Sequence, residues 1–336
     1  MLDGLERHQV PLYLAAMVLG AGLGLALPGT AAGLEPLITP ALALLLWSTF
    51  LAIPLTRISE GLQDRRFLVL LMGLNFVVVP PVAWLLTRPL TAHPELVLGI
   101  LLVLLAPCID WVIVFAGLAG GDRARLTAAA PLLMLAQMVL LAPLLWLLAG
   151  RDLEVAVSPG PFVSALVWMV LVPLAAAIAV QALAGPGGAG RPVLSGAARR
   201  VEAAGQALMV PALMLVLVVV VGSQIAAVEG RIGQLAPALP VYVVFLVVMT
   251  GLTVPIVRAA RLPVASARAS VFGATARNSL VVLPLAVAVS EQAPLIPLAV
   301  VAQTMVELVG MVVLVRLVPR LLPDVLPRTL PPPRGR

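Results

Sequence analysis

The hydrophobic pattern of this chain consists of long apolar runs separated by short polar segments. Most runs are about 20 residues long, which is the length that a helix needs to cross a bilayer, and they lack the roughly 10-residue alternation of a membrane β-barrel. The pattern predicts an all-α, polytopic membrane protein with ten transmembrane helices. The predicted spans are residues 11–27, 34–55, 67–87, 96–119, 126–149, 161–183, 203–226, 237–258, 266–290 and 293–319.

Composition agrees with a membrane protein. Of the 336 residues, 62% are hydrophobic and 11% are charged, whereas a soluble domain has about 25% charged residues. All 21 positively charged residues are arginines, and 15 acidic residues leave a net charge of +6; these arginines fall mainly in predicted loops, so we expect no nucleic-acid partner. One cysteine excludes an internal disulfide and a multi-cysteine metal centre. Both histidines, His8 and His93, lie in predicted loops, and we expect no cofactor.

The arginines predict the orientation of the chain in the membrane. Of 21 arginines, 17 lie in the termini and in every second loop, whereas Arg88, Arg151 and Arg231 lie on the other side and Arg277 lies inside a span. The positive-inside rule then places both termini in the cytoplasm. We therefore expect a multi-pass protein of the cell membrane.

The longest loop follows span 6, next to the point that separates the ten spans into two sets of five. Residues 184–200 contain Gly-Pro-Gly-Gly-Ala-Gly and are predicted to form a flexible cytoplasmic linker. Residues 1–183 then hold the first repeat and span 6, residues 201–322 hold spans 7–10, and residues 323–336 form a disordered tail. Two halves with an odd number of spans have opposite orientations, so we expect an inverted repeat whose second unit is 161–319.

Span 4 is interrupted at its centre by Pro107, Cys108 and Asp110. Proline removes a backbone hydrogen bond and breaks helices. A carboxylate at this depth is costly unless partnered, which makes it a candidate functional group. Cys108 also has a simpler interpretation, because a buried cysteine often packs as a small hydrophobic residue.

Span 9 has a matching polar interruption, 275–279, and each interrupted span is the fourth of its half. We therefore predict that helices 4 and 9 are broken and cross at the membrane midplane. Asp110 and Arg277 would then lie within salt-bridge distance. This pair is either part of a substrate site or purely structural.

Polar residues at mid-span depth are segregated among the spans. Spans 1, 6 and 7 have none that are strongly polar, and span 2 has only Ser48 and Thr49, so spans 1, 2, 6 and 7 could form a panel that moves against the others. Asn75, Gln137 and Gln303 either support the site or simply join neighbouring helices. The remaining candidates are Asn278, Ser279, Thr304 and Glu307, with Thr250 and Thr253 in span 8.

The charges at this depth do not balance. Asp110 and Glu307 carry two negative charges against one positive charge on Arg277. A proton or a sodium ion can cancel the surplus. This balance predicts a proton-coupled or sodium-coupled carrier, with Glu307 and Asp110 as coupling residues. No Walker motif is present, so ATP is not expected to drive transport directly.

Several motifs resemble those of a known family. Residues 99–115, with Ala-Pro-Cys-Ile-Asp at their centre, and Leu118-Ala-Gly-Gly-Asp122 are similar to the fourth-span signature of the arsenical-resistance arsenite permeases, within the bile acid:sodium symporter superfamily. The sequences around Asn75, Asn278 and Glu307 resemble the corresponding family motifs. The resemblance implies export of As(III) or Sb(III) against protons, with Cys108 and Glu307 in the principal roles.

The interrupted segments depart from that family's pattern. Pro107 replaces an arginine, Asp110 an alanine, Ser279 a second asparagine, and Arg277 a small residue, while the span-9 glutamate position is Val281. These changes affect the expected substrate more than the expected fold.

Two transport hypotheses follow. In the first, Cys108, Asp110, Arg277, Asn278 and Ser279 bind arsenite or antimonite, with the Cys108 sulfur as ligand. In the alternative, the protein is a symporter of a small organic anion that pairs with Arg277. A receptor-like scaffold, a third possibility, does not explain charges at mid-span depth. No enzymatic activity is predicted, and the oligomeric state is not specified by the sequence.

Overall fold

A computed structural model of the chain is helical, apart from turns and one isolated β-bridge, throughout the residues that it describes. These are residues 9–52, 64–109, 111–149, 166–184, 192–288 and 293–324. The helices are α1 (Gln9–Ala26), α2 (Pro28–Ala52), α3 (Arg65–Leu90), α4 (Pro94–Leu104), α5 (Trp111–Leu118), α6 (Arg123–Ala149), α7 (Val172–Ala184), α8 (Pro192–Gly230), α9 (Ala238–Ala259), α10 (Val264–Thr275), α11 (Ser279–Val287) and α12 (Leu295–Leu321). In addition, a π-helical segment, Leu166–Leu171, precedes α7, and a short helix, Ile232–Leu235, precedes α9.

Five segments of the described chain are long and apolar enough to cross a membrane. They contain α3, α6, most of α8, α9 with the short helix that precedes it, and α12. Shorter apolar stretches lie in α1, α2, α4 and α7. This pattern is that of a multi-pass membrane protein, whereas the number of ten spans stays a prediction.

Two local features differ from the sequence predictions. The linker predicted for residues 184–200 overlaps a helix, because α8 begins at Pro192. Proline is well tolerated at the first position of a helix, where its missing N–H has no partner to lose. The second feature is a π-helical turn, Leu74–Val78, inside α3. Residues 185–191, and 325–336 of the predicted tail, lie outside the described residues.

The helices pack in two groups. The panel consists of α1, α2, α7 and α8, which contact one another closely, and the core group consists of the other eight helices. The panel therefore contains the spans predicted to be apolar. It contacts the core group mainly where α8 meets α12 and where α2 and the π-helical segment before α7 meet α11.

A polar cluster joins several elements at one end of the core group. Arg125 forms ion pairs with Asp64 at 3.1 Å and Asp122 at 3.2 Å, and its guanidinium also donates to Ser266. Nearby, Gly120 has a φ of +70°, and a Cβ there would lie 2.6 Å from the Arg268 guanidinium. The Gly-Gly-Asp motif thus forms a tight turn between α5 and α6.

Candidate functional site

The two interrupted segments meet in the core group. α4 ends at Leu104 and α5 begins at Trp111, whereas α10 ends at Thr275 and α11 begins at Ser279. The amide of Cys108 donates to the carbonyl of Ala276 at 3.2 Å, and the amide of Asn278 donates to the carbonyl of Ala106 at 2.8 Å. Pro107 and Arg277 form the antiparallel bridge between them. This is the crossing expected from the sequence, whereas its depth in a membrane stays a prediction.

The guanidinium of Arg277 is fully buried beside this crossing. Its Nη2 donates to Asn75 Oδ1 at 2.7 Å and to the Ala274 carbonyl at 2.6 Å, and its Nη1 donates to the Leu104 carbonyl at 3.2 Å. The centre of the guanidinium lies 5.5 Å from the centroid of the Phe245 ring, within the range of a cation–π contact. Arg277 therefore joins α3, α4, α9 and α10.

Asn75 lies on the π-helical turn of α3 and is fully buried. Besides accepting from Arg277, its Nδ2 donates to the carbonyls of Leu71 at 2.9 Å and Gly273 at 3.1 Å. π-helical turns are frequent at functional sites. The turn places the amide of Asn75 against the last residues of α10.

Glu307 of α12 connects the crossing to a second helix. Its Oε2 accepts from the backbone amide of Arg277 at 2.9 Å and also from the side-chain amide of Gln303. The carboxylate is buried, as is Gln303. The structure thus brings Asn75, Arg277, Gln303 and Glu307 into one hydrogen-bonded network.

Asn278 and Ser279 form the start of α11. Asn278 Oδ1 accepts from the amide of Val281 at 3.1 Å, which is a helix N-cap interaction, and the Thr304 hydroxyl donates to Ser279 Oγ at 2.7 Å. Three buried polar atoms of this network have no hydrogen-bond partner among the described residues: Arg277 Nε, Asn278 Nδ2 and Gln303 Oε1. Buried polar atoms without partners are uncommon in proteins and are consistent with a ligand site.

The remaining predicted residues have different outcomes. Cys108 is buried at the crossing. Asp110 lies outside the described residues, so its pairing with Arg277 stays a prediction. Gln137 is buried on α6, and its Oε1 has no partner in the part of the chain that the structure describes. No described hydrogen bond joins Gln137 to the network.

The sequence did not predict three groups that contact Arg277: the carbonyls of Leu104 and Ala274 and the ring of Phe245. Carbonyl positions depend on where a helix ends, and Phe245 looks like any other apolar residue of its span. The helix-breaking Pro107 was the one available signal, because it indicates that nearby carbonyls lose their helical partners.

A comparison with protein families decides the class of this protein. The model of the sodium bile acid symporter family matches residues 39–231, which is more than half of the chain. The chain belongs to this family. Members of the family are transporters rather than enzymes, and they couple small anions to sodium or protons. The matched range contains Asn75 and Cys108, whereas Arg277 and Glu307 lie beyond its C-terminal end. A search of curated proteins finds no match.

Proposed function

We propose that the protein is a secondary active carrier that exports arsenite or antimonite in exchange for protons across the cytoplasmic membrane. The observation that carries this proposal is the position of Cys108, buried where the two interrupted segments hydrogen-bond to each other. As(III) binds soft sulfur ligands. A single thiol forms one bond to As(III), which suits a carrier that must also release its cargo.

The polar network supplies the other functions of the proposed site. Glu307 is the carboxylate that carries the exchanged proton, and the Arg277 amide and Gln303 hold it in place. Asn278 and Ser279 offer neutral polar groups for the hydroxyl groups of arsenite. Asp110 is proposed as a second coupling and substrate residue, paired with Arg277.

The alternative function is sodium- or proton-coupled symport of a small organic anion. The family favours it, and Arg277 is the cation that would bind a carboxylate. However, the guanidinium already donates to three oxygen atoms of the protein. Its Nε has no partner among the described residues and could still donate to a carboxylate, so the preference for arsenite rests on Cys108 and not on Arg277.

The proposed carrier has ten spans in two inverted repeats, with both termini in the cytoplasm. The two crossing segments, α4–α5 and α10–α11, occupy equivalent places in the two repeats. Helix interruptions with this arrangement form substrate sites near the midplane of many secondary transporters. The panel and the core group are the two units proposed to move.

Transport in everted membrane vesicles tests the proposal. Vesicles that contain the protein should accumulate arsenite when a pH gradient is imposed, and vesicles without it should not. Uptake of labelled organic acids into right-side-out vesicles, driven by sodium or by a pH gradient, serves as the opposing assay. Organic-acid uptake without arsenite transport would replace the proposal with the alternative.

A further inference from the structure

The buried guanidinium of Arg277 is surrounded by oxygen atoms on the side of its two terminal nitrogens. Asn75 Oδ1, the Leu104 carbonyl and the Ala274 carbonyl all accept from it, at 2.7, 3.2 and 2.6 Å. These acceptors come from three separate helices, α3, α4 and α10. Amide and carbonyl oxygens of this kind are also the groups that coordinate hard monovalent cations.

Two of these oxygens lie at the ends of interrupted helices. Leu104 is the last residue of α4, and Ala274 is next to the last residue of α10. The carbonyls at a helix C-terminus carry partial negative charge. In transporters with broken helices, such C-terminal ends and unwound carbonyls coordinate sodium. The guanidinium therefore occupies a position with the ligands of a cation site.

We propose that Arg277 is a tethered cation that fills this site, so that no sodium ion is needed there. The inference rests on the proposed function of a cation-coupled carrier and specifies its coupling ion. A fixed guanidinium cannot leave with the substrate, so it contributes charge but no transported ion. The transported coupling ion is then a proton, carried by Glu307 and by the second proposed coupling residue, Asp110.

The tethered-cation proposal predicts that removal of the guanidinium creates a sodium site. In Arg277→Ala, the three oxygens lose their cation while Asn75, Leu104 and Ala274 stay in place. The purified variant should gain thermal stability in NaCl relative to choline chloride at equal ionic strength, whereas the wild-type protein should not. If the variant binds sodium with a Kd near 10 mM, 150 mM NaCl raises its folded-to-unfolded ratio about 16-fold.

Arg268→Ala is the matched control, because Arg268 is also a buried arginine of this region. It lies on α10 and donates to the Leu322 carbonyl at 3.0 Å, and it pairs with Asp324. Its removal should lower stability equally in both salts. In the double variant Arg277→Ala with Asn75→Ala, which loses one of the three oxygens, the sodium effect should shrink.

Arg277→Lys provides a second test that does not depend on recovering the alanine variant. Lysine keeps a tethered cation with three donors, so this variant should fold and remain insensitive to sodium. Three results would each overturn the tethered-cation proposal: a sodium effect on the wild-type protein, no sodium effect on Arg277→Ala, or a lysine variant that cannot be recovered. The assay contains no substrate, so its outcome is independent of whether arsenite is transported.

Discussion

Three properties distinguish Cys108. It is the only cysteine of the protein, it is buried, and its backbone takes part in the crossing of two interrupted helices. Burial alone would be expected for any cysteine. The crossing distinguishes it, because a side chain at this point is held between elements of both halves of the chain.

Replacing Cys108 with serine should abolish arsenite transport. Serine has nearly the same volume but lacks the soft sulfur ligand, so we expect arsenite accumulation in everted vesicles to fall at least about tenfold. Cys108→Ala should lose transport equally, and normal yields of both purified variants would show that folding is intact. Wild-type transport by the serine variant would contradict a thiol ligand and favour the organic-anion alternative.

Replacing Glu307 with glutamine should separate substrate exchange from proton coupling. A glutamine oxygen can still accept from the Arg277 amide and from Gln303, so the fold should persist. The side chain can no longer release a proton, so net transport driven by a pH gradient should be lost while arsenite exchange across the membrane continues. Both rates can be measured in the same proteoliposomes.

The matched control for this variant is Glu95→Gln. Glu95 also accepts a backbone hydrogen bond, at 3.1 Å from the amide of Leu295 at the start of α12. Its replacement should change stability slightly and leave the pH dependence of transport unchanged. A Glu307→Gln protein with the wild-type pH dependence would show that another group carries the proton.

The candidate residues were predictable because polar side chains are conspicuous inside apolar runs. Asn75, Arg277, Gln303 and Glu307 were each selected in this way, and the structure joins them in one network. Their partners were less predictable. The sequence suggested a carboxylate, Asp110, for Arg277, whereas the described partners of the guanidinium are an amide and backbone carbonyls, whose positions depend on where helices end.

At the scale of helices, a close contact between α1 and α8 holds the panel together. A Cβ at Gly24 would lie 2.4 Å from the Gly222 carbonyl and 2.4 Å from a methyl group of Ile225, and a Cβ at Gly20 would lie 2.9 Å from the Val218 carbonyl. Small residues four apart let membrane helices approach closely. This Gly-x-x-x-Gly pattern therefore sets the spacing of the two helices.

Gly24→Ala should destabilise the protein by about 1–3 kcal/mol, because the added methyl group forces α1 and α8 apart. Gly22→Ala is the control on the same helix, where a Cβ meets nothing within 4 Å. It should be neutral or stabilising by up to about 1 kcal/mol, since alanine favours helices over glycine. Unfolding of both purified variants in detergent measures the difference. Equal stabilities would contradict the close α1–α8 contact.

Helix positions were largely predictable because the apolar runs are long and their ends are polar. Helix α6, for example, covers Arg123–Ala149 against the predicted 126–149. The early start of α8 was not predicted, because the glycine-rich residues beside it dominate the local composition. The π-helical turn at Leu74–Val78 has no periodic signal in an apolar run, because it adds one residue to a single turn.

At the scale of the whole molecule, the panel and the core group meet through an apolar interface. A cavity of about 10 Å³ lies within it, lined by residues of α1, α8, α11 and α12, of which Thr304 is the single polar one. Thr304 also donates to Ser279 at the start of α11, so the interface lies next to the candidate site.

Joining the two groups covalently should stop transport if they move against each other. Leu217 of α8 and Leu283 of α11 line the same small cavity from opposite sides of the interface. With both changed to cysteine, a small diffusible oxidant should join them as a disulfide and abolish arsenite accumulation in vesicles, while the reduced variant remains active. Positions 217 and 283 are buried, as is the only native cysteine, Cys108, so the wild-type protein treated with the same oxidant is the control for Cys108 and should remain active.

A pair inside the panel provides the control for this experiment. A Cβ at position 205 would lie 3.5 Å from the Cβ of Leu51, which is a suitable separation for a disulfide between Leu51→Cys and Gly205→Cys. That bond joins α2 to α8, which belong to the same group, so the oxidised variant should retain transport. Full activity of the cross-linked Leu217→Cys, Leu283→Cys protein would contradict motion of the panel against the core group. Loss of activity in both cross-linked variants would instead indicate that the panel itself must deform.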